Sequence, residues 1–249
     1  MFLINRIGHE IISLKQCSST NEYASQLIKK NNVSNGLVVK TDYQYEGKGH
    51  SGSKWESNKK ENLIFSIILL PEDFIVDWHF YLSKFVSVAI CKCLRKYISN
   101  TYIKWPNDII CDNKKICGIL IENTIEKKLV KSSVIGIGLN INQNEFSEDV
   151  KATSLSLEIG HNIDADIFFN ELLNLLNDEF DKLSENNFND VDNDYITMLF
   201  WMNTWNNFRK DGKIFKGKIT GISDYGELLI ENITGETLKI GFKEVEFLF

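Results

Sequence analysis

The amino-acid sequence predicts an α+β protein, with a larger domain at residues 1–206 and a small β-barrel at residues 207–249. In the first part, stretches with apolar residues at helical spacing alternate with short apolar runs that are typical of buried strands. After about Trp205 the sequence contains only short strands separated by turn residues such as Asp211-Gly212 and Thr234-Gly235. Several short strands at close spacing are typical of a small barrel.

The elements of the larger domain follow from local patterns. Apolar residues at helical spacing predict the helices, and the apolar run from Leu63 to Leu70, which ends at Pro71, predicts a buried strand. Ser19, Thr20 and Asn21 offer capping oxygens to the first helix. In chain order the predicted elements are a helix at 19–30, a strand at 37–43, a polar loop at 46–62, a strand at 63–70, a helix at 78–98, a strand at 102–105, a hairpin at 109–121, a strand at 134–142 and helices at 165–184 and 191–203.

Composition narrows the possible functions. The chain of 249 residues has 28 basic and 34 acidic residues, a net charge of −6, whereas a DNA-binding protein normally has a basic balance. No apolar run is long enough for a membrane span, and the N-terminus lacks the apolar core of a signal peptide. The five cysteines show no CxxC pair and the four histidines no HExxH, so a zinc enzyme is not expected. We therefore expect a cytoplasmic protein without nucleic-acid or membrane partners.

A glycine-rich loop is the first candidate site. Gly47-Lys48-Gly49-His50-Ser51-Gly52 matches GxGxxG, but no amphipathic helix follows it, so neither a dinucleotide-binding fold nor a P-loop is expected. Its glycines allow backbone N–H groups to approach an anion closely, while Lys48 adds charge and Trp55 offers an aromatic face to a purine. Taken alone, such a loop is more often a plain surface loop.

Three further segments combine polar residues with strand ends. Lys104-Trp105-Pro106-Asn107-Asp108 directly follows a strand, and binding and catalytic residues often lie in loops at strand ends. The alternative is a plain turn, which Asn-Asp after Pro also suits. Lys115 lies just before the apolar strand Ile116–Ile121, and we expect its neighbour Lys114 to be solvated. The strand Gly136-Ile137-Gly138-Leu139-Asn140 is interrupted by two glycines, which often mark the close approach of a ligand. The alternative is a bulge packed on a helix.

Taken together and in this order, these segments resemble the biotin–protein ligases. The resemblance rests on Ser19-Thr20-Asn21, the loop from Gln44 to Trp55, KWPND at 104–108, KxxGILxE at 115–122 and GxGLN at 136–140, and it covers roughly residues 15–145. The family's loop reads GRGRxG, whereas this chain has Lys48 and His50 in place of both arginines. Lysine keeps the charge but loses the bidentate fork of arginine, and histidine can be neutral at pH 7.

The resemblance implies a fold and an activity. It implies a catalytic domain with a mixed sheet, similar to class II aminoacyl-tRNA synthetase cores, and a C-terminal SH3-like barrel. The implied enzyme activates biotin with ATP as biotinyl-5'-AMP and transfers it to a lysine of a biotin carboxyl carrier protein domain of a biotin-dependent carboxylase. Mg²⁺ is expected because it usually accompanies ATP phosphates. The implied protein is a monomer or weak homodimer without the DNA-binding domain of the repressor-type members.

The resemblance also assigns roles to individual residues. It implies that Lys115 and Asp108 are catalytic, with Asp108 either orienting the incoming lysine or helping to hold Mg²⁺, and it implies no dedicated metal ligands. The residues implied for biotin are Ser19, Thr20, Asn21, Gln44, Lys48, Gly49, His50, Lys115, Gly118 and Gly136. The residues implied for ATP and the adenylate are Gly47, Lys48, His50, Trp55, Lys104, Asn107, Asp108, Lys115 and Asn140. Two alternatives remain open: a lipoate–protein ligase of the same superfamily, and a non-catalytic sensor of biotin or nucleotide.

Overall fold

The computed structural model describes residues 6–31, 33–49, 52–148, 150–185 and 187–249. The strands of the first sheet are β1 (Ile11–Leu14), β2 (Val38–Thr41), β3 (Asn62–Leu69), β4 (Thr101–Lys104), β5 (Asp108–Cys111), β6 (Lys114–Glu126) and β7 (Leu129–Asn140). The helices are α1 (Thr20–Lys29), α2 (His79–Leu94), α3 (Leu155–Ile159), α4 (Ala165–Ser184) and α5 (Phe188–Met198), with a short 3-10 helix at Val76–Trp78. The strands of the second sheet are β8 (Trp205–Lys210), β9 (Lys213–Ile222), β10 (Leu228–Asn232), β11 (Thr237–Ile240) and β12 (Glu246–Phe247).

The first sheet is mixed, which confirms the predicted α+β class. Its seven strands lie in the order β1-β2-β3-β7-β6-β5-β4. β1 runs parallel to β2, and the other neighbours are antiparallel. β3 is buried along its whole length because helices cover both faces. On one face Ile68 of β3 packs with Ala24 of α1, and on the other Phe65 packs in the main core, against Phe169 of α4.

The second sheet is antiparallel and packs against the first part of the chain. Its five strands lie in the order β11-β10-β9-β8-β12, as expected for an SH3-like barrel. Trp105, which follows β4, donates its indole N–H to the Gly226 carbonyl at 2.9 Å and stacks on Phe242 at 5.4 Å between ring centroids. The segment after β4 is therefore fastened to the second sheet. The division of the chain at residue 206 stays a prediction.

The structure corrects several predicted elements. β1 and α3 were not predicted, because each is too short to show a clear period. The helix predicted at 191–203 runs from Phe188 to Met198 instead. Beyond it Leu199 is extended and the N–H of Phe200 donates to the Ile103 carbonyl, so this segment covers the edge of β4. Within the described ranges, no helix is long and apolar enough to span a membrane.

Candidate active site

Glycines of β6 and β7 form the floor of a cavity on the α1 side of the sheet. Gly118 pairs with Gly138, and Gly136 pairs with Leu120. A Cβ at Gly136 would lie 2.3 Å from Asn21 Oδ1, and one at Gly138 would lie 2.4 Å from Cε2 of Trp55. Side chains at these positions would collide with residues of the cavity wall. Strand pairing shows no register shift at either glycine, so β7 has no bulge there, and Gly136 lies closely against Asn21 of the helix α1.

A row of polar side chains lies at one end of this floor. Gln44 Oε1 accepts from the backbone N–H of Thr20 at 2.7 Å and from its hydroxyl at 3.1 Å. Ser66 Oγ lies 2.7 Å from both Thr20 Oγ1 and Asn21 Oδ1. Asn21 Nδ2 donates to Glu122 Oε2 at 2.7 Å and to the Leu120 carbonyl at 3.2 Å. The hydrogen bonds fix the orientation of these buried groups toward the cavity.

Ser19 does not cap α1 as the sequence predicted. It occupies the N-cap position, but its side chain makes no capping hydrogen bond. Gln44, which follows β2 in the neighbouring loop, instead accepts from the Thr20 N–H, which has no partner within the helix. The Ser19 hydroxyl therefore remains on the cavity wall, although Ser19 is only 3% exposed.

The described arms of the glycine-rich loop, 47–49 and 53–55, pair with each other and bring Trp55 over the floor. Lys48 and Lys54 form an antiparallel bridge, and the N–H of Trp55 donates to the Gly47 carbonyl at 3.0 Å. This pairing places the indole of Trp55 over Gly138 and Gly118. Lys48 Nζ lies 4.0 Å from a carboxylate oxygen of Glu22. The predicted site residue His50 lies outside the described residues.

Lys115 lies at the other end of the cavity and pairs with Asp108, which lines a neighbouring cleft. Lys115 Nζ lies 2.6 Å from Asp108 Oδ1. The backbone of Lys115 is held from outside the sheet, because its N–H donates to the Lys151 carbonyl and its carbonyl accepts from Thr153. Asn107 fixes the turn before Asp108, since its side chain donates to the Ile119 carbonyl at 2.7 Å. Both members of the pair are partly exposed, so Lys115 can reach a ligand in the cavity.

Most of the predicted site residues meet in this one cavity. Those that line it are Ser19, Thr20, Asn21, Gln44, Lys48, Gly49, Trp55, Asn107, Lys115, Gly118 and Gly136. Gly47 instead lines a second, outer groove, which the glycine-rich loop forms together with Leu120 and Glu122. Lys104 and Asp108 line a neighbouring cleft, which shares Asn107 with the cavity.

Asn140 lies at the end of β7 and is buried beside the segment that follows. Its Nδ2 donates to the Thr153 carbonyl at 3.0 Å, and it is 3% exposed. Its Oδ1 is buried without a hydrogen-bond partner among the residues that the structure describes. An unpaired buried acceptor is costly, so this oxygen is available to a donor on a ligand.

Sequence reasoning did not identify all of the wall. Ser66 and Glu122 belong to the polar row through their hydrogen bonds to Asn21. The signal for Ser66 was a single hydroxyl in an otherwise apolar strand, because a buried polar side chain needs a partner. Apolar residues complete the wall: Ile64, Ile119, Leu120 and Ile137.

One group of side chains outside the cavity has the composition of a metal site. Cys111 Sγ and carboxylate oxygens of Asp112 and Glu158 lie within 4.8 Å of one another. Burial, together with the two carboxylates, raises the pKa of the Cys111 thiol to about 12. The thiol is therefore protonated at neutral pH, whereas metal binding needs the thiolate.

Comparisons with known proteins agree with this geometry. The model of the biotin/lipoate A/B protein ligase family matches residues 13–140. The chain is 32% identical over 234 residues to the bifunctional ligase/repressor BirA of Bacillus subtilis (strain 168), a match that covers 92% of this chain and 71% of the relative. The biotin–[acetyl-CoA-carboxylase] ligase of Mycobacterium tuberculosis is 31% identical over 129 residues, covering 50% of this chain and 46% of that protein.

Solved structures show the same relationship. The biotin protein ligase from Aquifex aeolicus in complex with biotin and ATP superimposes with a TM-score of 0.80 and 27% sequence identity. That match covers 96% of this chain and 99% of the other. It includes both sheets, whereas the family model covers only the part that carries the cavity. The chain belongs to the biotin/lipoate A/B protein ligase family.

Proposed function

We propose that this protein is an ATP-dependent biotin–protein ligase. It activates biotin as biotinyl-5'-AMP and transfers the biotinyl group to a lysine of a carrier protein. One observation carries the proposal: a single cavity has the hydrogen-bonded polar row at one end and, at the other, Lys115, which is paired with Asp108 of the neighbouring cleft. Such a cavity suits a ligand with a neutral polar ring and a distant carboxylate.

The polar row favours biotin over lipoate. The ureido group of biotin has a carbonyl and two N–H groups, and Thr20, Asn21 and Gln44 offer neutral donors and acceptors to them. The dithiolane ring of lipoate has no N–H or carbonyl group, so it would gain no comparable hydrogen bonds from these residues.

The other end of the cavity suits the nucleotide and the reacting carboxylate. In the first step a biotin carboxylate oxygen bonds to the α-phosphorus of ATP, and the bond from that phosphorus to the pyrophosphate oxygen breaks. Lys115 neutralises charge on the carboxylate and α-phosphate, and Asn140, whose Oδ1 has no hydrogen-bond partner among the described residues, contacts the nucleotide. In the second step the carrier lysine attacks the acyl carbon and AMP leaves. Alignment and charge stabilisation account for both steps without an enzyme nucleophile.

Asp108 acts in this proposal as the partner of Lys115. Its carboxylate is already neutralised at 2.6 Å, and no cluster of metal-ligating side chains is found at this end of the cavity among the described residues. The phosphates of ATP would therefore supply most ligands of any Mg²⁺. The carrier is proposed to be the biotin-accepting domain of a carboxylase, in line with the name of the Mycobacterium tuberculosis relative. The oligomeric state, monomer or weak homodimer, stays a prediction.

The proposal is tested by incubating the protein with ATP, Mg²⁺ and one acid at a time. We expect pyrophosphate release with biotin, and little with lipoate or octanoate. Turnover with lipoate alone would identify a lipoate ligase, and biotin binding without turnover would identify a sensor. Adding a purified biotin carboxyl carrier domain should produce biotinylated carrier. Adenylate released into solution would show that Lys48 and His50 hold the intermediate less firmly than arginines.

A further inference from the structure

A completely buried serine lies behind the polar row and contacts two of its residues at once. Ser66 lies within β3, and its Oγ is 2.7 Å from Thr20 Oγ1 and 2.7 Å from Asn21 Oδ1. Thr20 and Asn21 line the cavity, whereas Ser66 lies on their far side. An effect of Ser66 on a ligand therefore passes through these two side chains.

The row contains fewer hydroxyl hydrogens than contacts between its oxygen atoms. The contacts form a chain in which Gln44 Oε1 meets Thr20 Oγ1 at 3.1 Å, Thr20 Oγ1 meets Ser66 Oγ, and Ser66 Oγ meets Asn21 Oδ1. The ends of the chain are amide oxygens, which only accept, and each hydroxyl group in between carries one hydrogen. Two hydrogens therefore serve three contacts, and in every arrangement one contact lacks a hydrogen.

Turning the Asn21 amide over does not remove this shortage. Asn21 Nδ2 donates to Glu122 Oε2 at 2.7 Å and to the Leu120 carbonyl at 3.2 Å. The opposite orientation would place Oδ1 against a carboxylate and a carbonyl, which are both acceptors. Both hydrogens of Nδ2 are therefore used within the protein, and Asn21 offers only its oxygen to a ligand.

The shortage of hydrogens determines which ligand groups the row accepts. If Thr20 or Ser66 turned its hydrogen toward a ligand, a second contact in the chain would lose its hydrogen. Thr20 and Asn21 therefore present lone pairs to the cavity, and an N–H group of a ligand is their matching partner. Burial of the row strengthens this preference, because unmatched acceptors are costly where water is excluded.

We infer that Ser66 is a positioning residue that makes the polar row specific for a ligand with N–H groups. Its one hydrogen is shared between Thr20 and Asn21 and keeps both oxygens turned as acceptors toward the cavity. This inference rests on the proposed function, in which the ureido N–H groups of biotin meet these two oxygens. It adds that the enzyme recognises the N–H groups themselves, and not only the shape of the ring.

Recognition of N–H groups is tested by isothermal titration with two acids of similar shape. One is desthiobiotin, which keeps the ureido ring, and the other is its cyclic carbonate analogue, in which an oxygen atom replaces each N–H group. We expect the wild type to bind desthiobiotin at least about 30-fold more tightly, because the carbonate places oxygen atoms against acceptors. Equal affinities for the two acids would overturn the inference.

The role of Ser66 itself is tested with Ser66→Ala and a matched control, Ser133→Ala. Ser133 is also completely buried in the first sheet, and its Oγ donates to Asn123 Oδ1 at 2.7 Å. Both variants lose a serine–asparagine hydrogen bond of the same length, so we expect similar falls in Tm. Ser66→Ala alone should raise the KM for biotin about 10-fold in biotin-dependent exchange of labelled pyrophosphate into ATP, with kcat and the KM for ATP within about 2-fold. Ser66→Cys keeps a weak donor and should recover part of the biotin affinity.

The outcomes separate this inference from the proposed function. An unchanged biotin KM in Ser66→Ala, or an equal rise in Ser133→Ala, overturns the inference and keeps the ligase. Absence of biotin-dependent exchange in the wild type rejects the proposed function, and titration with biotin then decides the inference. Biotin affinity that falls in Ser66→Ala and not in Ser133→Ala supports it, whereas equal affinities, or no biotin binding by the wild type, overturn it. The comparison of the two acids uses the wild type, so it decides the matter even where Ser66→Ala fails to fold.

Discussion

Replacing Gly136 by alanine should damage the polar row, because the new methyl group would collide with Asn21. The new Cβ would lie 2.3 Å from Asn21 Oδ1, whereas Cβ atoms in proteins essentially never come within 3.0 Å of a heavy atom. Asn21 must therefore move by at least about 0.7 Å. Its bonds to Ser66 and Glu122 are both 2.7 Å long, and such a shift stretches them beyond good hydrogen-bond length.

The size of the effect follows from these two bonds. A neutral hydrogen bond contributes about 1 kcal/mol and one to a charged group about 1.5–3 kcal/mol, so the free energy of unfolding should fall by about 2–4 kcal/mol. For a chain of this length that lowers Tm by roughly 5–15 °C. Biotin affinity should fall at least about 10-fold, because the displaced Asn21 no longer pairs with the ligand. Calorimetry measures both quantities.

The matched control is Gly138→Ala, two residues along the same strand. Its Cβ would meet Cε2 of Trp55 at 2.4 Å. The Trp55 Nε1 has no hydrogen-bond partner among the described residues, so the indole moves aside without breaking a bond of its own. Gly138→Ala should therefore lower Tm less than Gly136→Ala. Equal Tm values for the two variants, or wild-type biotin affinity in Gly136→Ala, would refute the reasoning.

Three further predictions concern the charged pair, the helix layer and the buried thiols. Lys115→Ala should reduce biotin-dependent pyrophosphate release at least about 100-fold, because it removes the charge that stabilises the transition state. Its Tm should stay nearly unchanged, because a partly exposed ion pair adds little stability. The control is the exposed neighbour Lys114, whose replacement by alanine should keep full activity. Burial raises the pKa of Asp194, but hydrogen bonds from Lys182 and a second lysine outweigh it and leave this pKa below its ordinary value. Its stabilising effect is therefore present above the unfolded-state pKa of about 3.9 and is lost as the pH falls through the folded-state pKa. Urea unfolding should show Asp194→Asn about 1 kcal/mol less stable at pH 7, with a difference that shrinks below about pH 4; a pH-independent difference would contradict this. Burial raises the pKa of the Cys93 thiol to about 12. At pH 8, mass spectrometry should therefore find Cys93 unmodified by iodoacetamide in the native protein and modified in urea. Equal labelling in both would show that the thiol is accessible.

The sequence correctly predicted the helices and strands in which apolar residues recur regularly over many residues. The helices α1, α2 and α4 and the strand β3 lie close to their predicted positions, because each contains a sustained apolar pattern. β1 and α3 were missed because four and five residues do not establish a period. The end of α5 was misplaced, since pairing of Phe200 with the edge of β4 overrides local helix preference.

For the candidate site too, the sequence predicted some features and missed others. The amino-acid sequence alone identified the chemical groups: glycines in strands, neutral amides and hydroxyls at the start of the first helix, and lysines at strand ends. Only the tertiary structure decided which of them meet, because Asn21, Ser66 and Glu122 come from three elements far apart in the chain. It also decided that Gln44 caps α1 in place of Ser19, and that rings of the C-terminal sheet lie under Lys104. Hydrogen bonds and ring contacts between distant segments depend on how the sheets and helices pack, and no local pattern in the sequence records that packing.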